Sequence, residues 1–246
     1  MAGFTWRLIA VPANQRCVAR SHFRIGTTAV AILTACVLAV ITMGAARADD
    51  STFQANVRLL SAVRQGDGTA IERELDAGAS INFRNREGKT PLLMLLEKER
   101  FALAQALLER GADVNQAAIN GVTPLMAAVY TGNADFVRKL LDKGADAGAI
   151  DGVGKNAMIY AAGGGHTDIV KLLLAHGVDP NAVYRNNLTA LMWAAGYGNT
   201  DTVRALLDAG ARPESVDNRG KTALDMAQEF RHPETVAVLR AAAPKP

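Results

Sequence analysis

Gly121-Val122-Thr123-Pro124-Leu125-Met126-Ala127-Ala128-Val129-Tyr130-Thr131-Gly132-Asn133-Ala134-Asp135-Phe136-Val137-Arg138-Lys139-Leu140-Leu141-Asp142-Lys143-Gly144 reads as two short helices joined by a tight turn. Thr123 supplies a hydroxyl cap, and Pro124 stands at the first helical position, where no amide hydrogen is required. Leu125 to Val129 form the first helix, which ends near Thr131-Gly132. Asn133 can cap the second, with Asp135 in its positive first turn. Val137, Leu140 and Leu141 then share one face, and Gly144 closes the helix where a left-handed backbone is wanted.

The same choices return every 33 residues. Gly78, Gly111, Gly144, Gly177 and Gly210 form one ladder. Gly88, Gly121, Gly154 and Gly220 form a second, with Asn187 on the missing rung. Apolar columns run in register: Ile71, Ala104, Val137, Val170, Val203, Val236 in one, and Leu59, Leu92, Leu125, Met158, Leu191, Leu224 in another. Two leucine columns read Glu74, Leu107, Leu140, Leu173, Leu206, Leu239 and Leu75, Leu108, Leu141, Leu174, Leu207, Arg240. One helical pair cannot bury such a face alone, whereas a stack makes a continuous core. Glu74 and Arg240 break the columns at opposite ends, as expected where a terminal unit faces solvent, so 55–87 and 220–246 read as caps of an array complete within the chain.

The N-terminal stretch has a different logic. The chain has 27 Lys and Arg against 24 Asp and Glu, but Arg7, Arg16, Arg20, Arg24 and Arg47 fall within residues 1–48, which hold no acid. The remainder carries 22 basic groups against 24 acidic ones. It has no basic cluster and so no electrostatic footprint for nucleic acid. A charged segment ending at Arg24, an uncharged apolar run from Ala29 to Ala46, and Ala46-Arg47-Ala48 fit a signal peptide cleaved after Ala48, which directs the protein to the periplasm. Leu33-Thr34-Ala35-Cys36 also fits a lipoprotein box, and the run is just long enough for an uncleaved anchor. A membrane is expected as partner only in those two cases. Cleavage after Ala48 is favoured, because a cut before Cys36 leaves an apolar tail on the mature protein. The organisation expected is a signal peptide (1–48), a linker (49–54) and units at 55–87, 88–120, 121–153, 154–186, 187–219 and 220–246.

This pattern resembles the ankyrin repeat. The resemblance rests on Gly88-Lys89-Thr90-Pro91-Leu92, Gly121-Val122-Thr123-Pro124-Leu125, Thr189-Ala190-Leu191-Met192-Trp193-Ala194-Ala195, Gly165-His166-Thr167-Asp168-Ile169-Val170-Lys171-Leu172-Leu173-Leu174 and Gly111-Ala112-Asp113-Val114-Asn115. It implies an all-α solenoid of about six stacked helix-turn-helix units with short hairpin-like finger loops, serving as a monomeric, non-enzymatic scaffold for a protein partner. The family's histidine after threonine-proline-leucine is replaced by Leu93, Met126, Ile159, Met192 and Asp225, so apolar packing is expected in place of its hydrogen bonds. The unit at 88–120 departs further, with Met94-Leu95-Leu96 at small-residue positions and Glu99 where the helix turn wants glycine.

Residues for chemistry are scarce. Both cysteines, Cys17 and Cys36, precede the repeats, which excludes disulfides and thiolate chemistry from them. Gly88-Lys89-Thr90 and Gly220-Lys221-Thr222 look like ends of phosphate loops, but Phe83 and Ser215 stand where the first loop glycine belongs. His166, His176 and His232 lack partners at metal-ligand spacing. Ser51, Ser61, Ser80 and Ser215 lie in no nucleophile elbow. No catalytic residue, metal site or cofactor is expected.

The resemblance also implies which positions face the concave groove: the two preceding each helix-turn glycine. These include Tyr130 and Thr131, Gly163 and Gly164, Gly196 and Tyr197, and Phe230. Paired glycines in the middle unit open a recess flanked by Tyr130 and Tyr197, with Tyr160 and Trp193 on its floor. Lys155, Arg185, Arg219 and Lys221 stand at the finger tips. Aromatic rings among arginines and lysines are the residue types that dominate interface energetics. The expected role is an exported adaptor. Alternatives are a secreted effector that binds eukaryotic host proteins, or an exported stress-response protein with enzymatic activity.

Overall fold

The computed structural model describes residues 50–242. Readings that concern 1–49 (the signal peptide, cleavage after Ala48, lipidation at Cys36, the anchor) lie outside the described residues, as do 243–246. Helices alternate in pairs: α1 (50–65) and α2 (Gly68–Asp76), α3 (Pro91–Glu97) and α4 (Phe101–Glu109), α5 (Pro124–Tyr130) and α6 (Ala134–Asp142). They continue with α7 (Ala157–Gly164) and α8 (Thr167–Ala175), α9 (Ala190–Gly196) and α10 (Thr200–Asp208), α11 (Ala223–Glu229) and α12 (Pro233–Ala242). Residues 50–54, expected to be a linker, belong to α1. No described helix is long and apolar enough to cross a membrane.

From α3 onward, each first helix packs on its own second helix and on the first helix of the next unit, and the second helices pack in a parallel row from α6 to α12. The caps explain where the helices start. Thr90, Thr123, Thr189 and Thr222 each accept a hydrogen bond from the amide three residues on, and Asn156 does so in the unit that lacks the threonine. Asn133 caps α6 through Phe136 N. At the other end, Gly78, Gly111, Gly144, Gly177 and Gly210 all have φ between 81° and 90°, a left-handed turn that glycine enters without penalty. Five residues back along each helix, a carbonyl then accepts from the next amide, as in Ala145 N to Leu140 O at 2.9 Å.

The columns are buried as their period demands. Leu107, Leu140, Leu173 and Leu206 are fully enclosed, as are Leu59, Leu92, Leu125, Met158 and Leu191. Enclosing each such side chain contributes about 1.5–3 kcal/mol. At the C-terminal end Leu224 and Val236 are half-buried and Arg240 is exposed. The N-terminal end corrects the expectation for Glu74. Its side chain is 5% exposed rather than facing solvent, with Oε2 2.7 Å from Arg58 Nε and Oε1 3.1 Å from Arg73. The two arginines neutralise a carboxylate that α2 would otherwise bury alone.

Fingers connect the pairs. Each is a hairpin-like turn closed by one backbone bond, recurring at Asn85 N–Lys89 O, Ala118 N–Val122 O, Asp151 N–Lys155 O, Tyr184 N–Leu188 O and Asp217 N–Lys221 O, 2.8–3.0 Å. Asn187, in place of glycine, keeps a φ of 59°, a region asparagine tolerates. Apolar packing is expected where the histidine is missing, and polar bonds from other positions also tie neighbouring units. Leu93, Met126, Ile159 and Met192 are indeed buried. But Asn199 donates to the carbonyls of Ala162 and Gly163 at 2.8 and 2.9 Å, and the His232 ring nitrogen lies 3.0 Å from Gly196 O. Hydroxyl pairs Thr167–Thr202 and Thr200–Thr235 do the same between second helices at 2.8 Å. Asp225 turns back on Thr222 to complete a capping box, and these hydrogen bonds hold its carboxyl below the usual range.

Candidate functional site

The last residues of the first helices share a side with the fingers: Tyr130 and Thr131 line a hollow with Val122, and Gly163 and Gly164 line one with Lys155. Along that side lie three hollows in a row. One, of about 450 Å³, is lined by Glu97, Glu99, Val122, Met126, Ala127, Tyr130, Thr131 and Tyr160. The next, of about 220 Å³, is lined by Tyr130, Lys155, Ile159, Tyr160, Gly163, Gly164, His166, Trp193 and Tyr197. The third, of about 360 Å³, is lined by Leu188, Met192, Trp193, Gly196, Tyr197, Arg219, Met226 and Phe230. Tyr130 and Tyr160 separate the first two, and Trp193 and Tyr197 the second and third.

The middle hollow exists because α7 ends in glycine. A Cβ on Gly163 would lie 3.7 Å from the rings of Trp193 and Tyr197, in ordinary contact, and would fill part of the space. One on Gly164 would meet His166 Nε2 at 2.7 Å, so that position is held small by the imidazole. The aromatic walls brace one another. Tyr130 meets Tyr160 edge-on, centroids 6.3 Å apart, and Trp193 stacks on Tyr197 at 5.9 Å and 10°. Tyr130, Tyr197 and Phe230 nevertheless keep more than half of their surface in solvent.

Asp151, which the sequence reading passed over, organises the centre. Its Oδ1 accepts from the amides of Val153 and Lys155 and so shapes the finger, while Oδ2 accepts from Tyr160 Oη at 2.5 Å. Burial, then the Asp151 carboxylate, push the Tyr160 phenol up to about 12. The signal was present in sequence: Asn85, Asp151 and Asp217 recur at twice the repeat length and accept the same pair of finger amides. The shaped finger lays Lys155 across the wall, with Nζ 4.4 Å from the Trp193 centroid and 5.5 Å from that of Tyr160.

The other expected residues divide. Gly196 and Phe230 line the third hollow with Arg219, whose guanidinium is held 2.9 Å from the buried Asp217 carboxylate. Thr131 lines the first hollow, but its hydroxyl donates to Ala128 O and is engaged in ending α5. Arg185 and Lys221 line none of the three, and Lys221 pairs with Glu229 at 3.3 Å. Among the described residues no cluster of three or more histidines, cysteines or carboxylates could hold a metal ion.

No curated protein matches the chain at a significant level. The family model for ankyrin repeats (3 copies) matches residues 59–151, 119–184 and 158–245, which together span every helix from α2 to α12. On this match, and on the stacked helical pairs and fingers described above, the chain belongs to the ankyrin repeat family.

Proposed function

We propose that the protein is a non-enzymatic adaptor that acts in the periplasm and holds a partner protein along the row of hollows at Tyr130–Phe230. Ankyrin repeats are protein-interaction modules, and the location follows from the export-like character of residues 1–48. The observation that carries the binding site is the braced aromatic wall. Four rings from three consecutive units pack in two pairs yet leave Tyr130 and Tyr197 74% and 61% exposed. Rigid, half-solvated aromatic rings bury much area on docking and lose little side-chain entropy.

Changing Tyr130, Trp193 and Tyr197 together to alanine tests this reading. Capture of partners from a periplasmic extract should fall at least tenfold, while far-ultraviolet circular dichroism keeps its helical signal. Undiminished capture by the triple variant removes the groove from the function. Cell fractionation tests the compartment: recovery of the chain from the medium or the cytoplasm overturns the periplasmic assignment.

A further inference from the structure

The middle hollow carries a sign as well as a shape. The Lys155 ammonium rests over the faces of Trp193 and Tyr160, the electron-rich side of each ring. Among the described residues no carboxylate lies within ion-pair distance of it. The Asp151 carboxylate, on the same finger, is turned to Tyr160 Oη and two backbone amides rather than to the ammonium. Along the same side, by contrast, Arg219 and Lys221 are neutralised by Asp217 and Glu229, and Lys89 by Glu87 and Glu97. Lys155 is therefore the cation of the middle hollow with no ion-pair partner among the described residues, seated on an aromatic base. A second cation entering there would meet an ammonium already seated on the rings, whereas an anion would find a preoriented partner.

We infer that the segment docked in the groove is acidic, placing an aspartate or glutamate carboxylate on Lys155 Nζ with an apolar side chain of the same segment against Trp193 and Tyr197. This rests on the proposed groove function and specifies its partner. The carboxylate gains a charge-assisted bond in a hollow walled by rings, with no acid among the residues that line it. The apolar neighbour fills the space that Gly163 leaves open.

The test uses three immobilised twelve-residue peptides that share the same phenylalanines and leucines. Their remaining positions are aspartate and glutamate, lysine and arginine, or serine and asparagine. The full chain should bind the acidic peptide at least about tenfold more tightly than the neutral one at low salt, with the gap narrowing as salt is added. Lys155→Met should abolish the preference, Lys155→Arg should preserve it, and Lys155→Glu should reverse it toward the basic peptide. Equal binding of the three peptides, preference for the basic one, or an acidic preference untouched by Lys155→Met each overturns the inference. The adaptor reading fails separately: if the Tyr130, Trp193 and Tyr197 triple variant still captures partners normally, the groove itself is wrong, whatever the peptides do.

Discussion

The units at 88–120 and 154–186 share a backbone and differ at six consecutive positions facing the core and groove. Both fingers close by the same hydrogen bond, at Asn85–Lys89 and Asp151–Lys155, and both turn through a left-handed residue, Gly88 and Gly154. Yet Met94-Leu95-Leu96-Glu97-Lys98-Glu99 in one stands against Tyr160-Ala161-Ala162-Gly163-Gly164-Gly165 in the other. Leu95 and Leu96 fill their side of the stack completely, and Ala161 and Ala162 are just as enclosed with far less volume. The second helix shifts the opposite way in one column, with Ala104 where the other unit has Val170. On the groove side, Glu97 and Lys98 are tied down, to Lys89 and to the carbonyl of Arg64, while the glycines leave a hollow. One unit spends its side chains on cohesion; the other leaves room for a partner.

The sharpest way to break this contrast is to exchange volume between the units. Leu96→Ala should destabilise the repeats by about 2–5 kcal/mol, the usual cost of an enclosed leucine that leaves a cavity. Ala162→Leu should also destabilise, by about 1–3 kcal/mol, because Ala162 is already fully enclosed and the added methylenes have no space to enter. Denaturant unfolding of each variant measures both. If Ala162→Leu proves neutral, the middle unit has slack, and its small residues are not a packing solution in their own right.

A smaller effect follows from the helix turn. The turn residues Gly66, Glu99, Gly132, Gly165, Gly198 and Arg231 all have φ between 56° and 74°, so the backbone asks for glycine at each. Glu99 and Arg231 accept that conformation at a cost of about 1 kcal/mol apiece. Glu99→Gly should recover roughly that amount in the same unfolding assay. Gly165→Ala should lose at least as much, since its new Cβ would also lie 2.8 Å from Asn199 Oδ1 and disturb the bridge to Ala162 and Gly163. A loss confined to Gly165 with no gain at Glu99 would mean that Glu99 holds a compensating contact.

Periodicity made the fold legible. Ladders of glycine, threonine caps and leucine columns repeat at one step, and each is a local signal that needs no knowledge of the neighbouring unit. Half of the groove was legible for the same reason, because Tyr130, Gly163, Gly164 and Tyr197 follow from their place in the repeat. What the sequence hid are the pairings between units. That Asp151 takes the Tyr160 hydroxyl, that Asn199 and His232 reach back to the first helix of the preceding unit, and that Arg219 and Lys221 are neutralised in place depend on distances no spacing rule supplies. Glu74 was misjudged similarly, because the arginine that covers it comes from α1, sixteen residues earlier.

Glu74 gives the mildest and most specific test, in the N-terminal units where cohesion dominates. The hydrogen bond from Arg58, then that from Arg73, outweigh its burial and hold its carboxyl below the ordinary glutamate value. A carboxyl lowered in the folded state favours folding above its unfolded pKa and loses that contribution as pH falls through the folded one. The stability of the chain should therefore decline on acidification below the ordinary carboxylate range, and part of that decline belongs to Glu74. Glu74→Leu restores the column occupied by Leu107 and Leu140 and removes the titrating group. It should leave stability at neutral pH nearly unchanged, because leucine fills the same enclosed site while Arg58 and Arg73, each more than half exposed, turn to water. It should also flatten the acid limb, a change that unfolding midpoints across the acid range would reveal. Glu74→Gln separates charge from volume: it should flatten the limb too, but lower the neutral-pH stability, because it keeps a polar amide in the enclosed site without the ion pairs and without leucine's apolar burial. An acid limb unchanged in both variants would assign the titration to other carboxylates, such as Asp225, and leave the two arginines as packing alone.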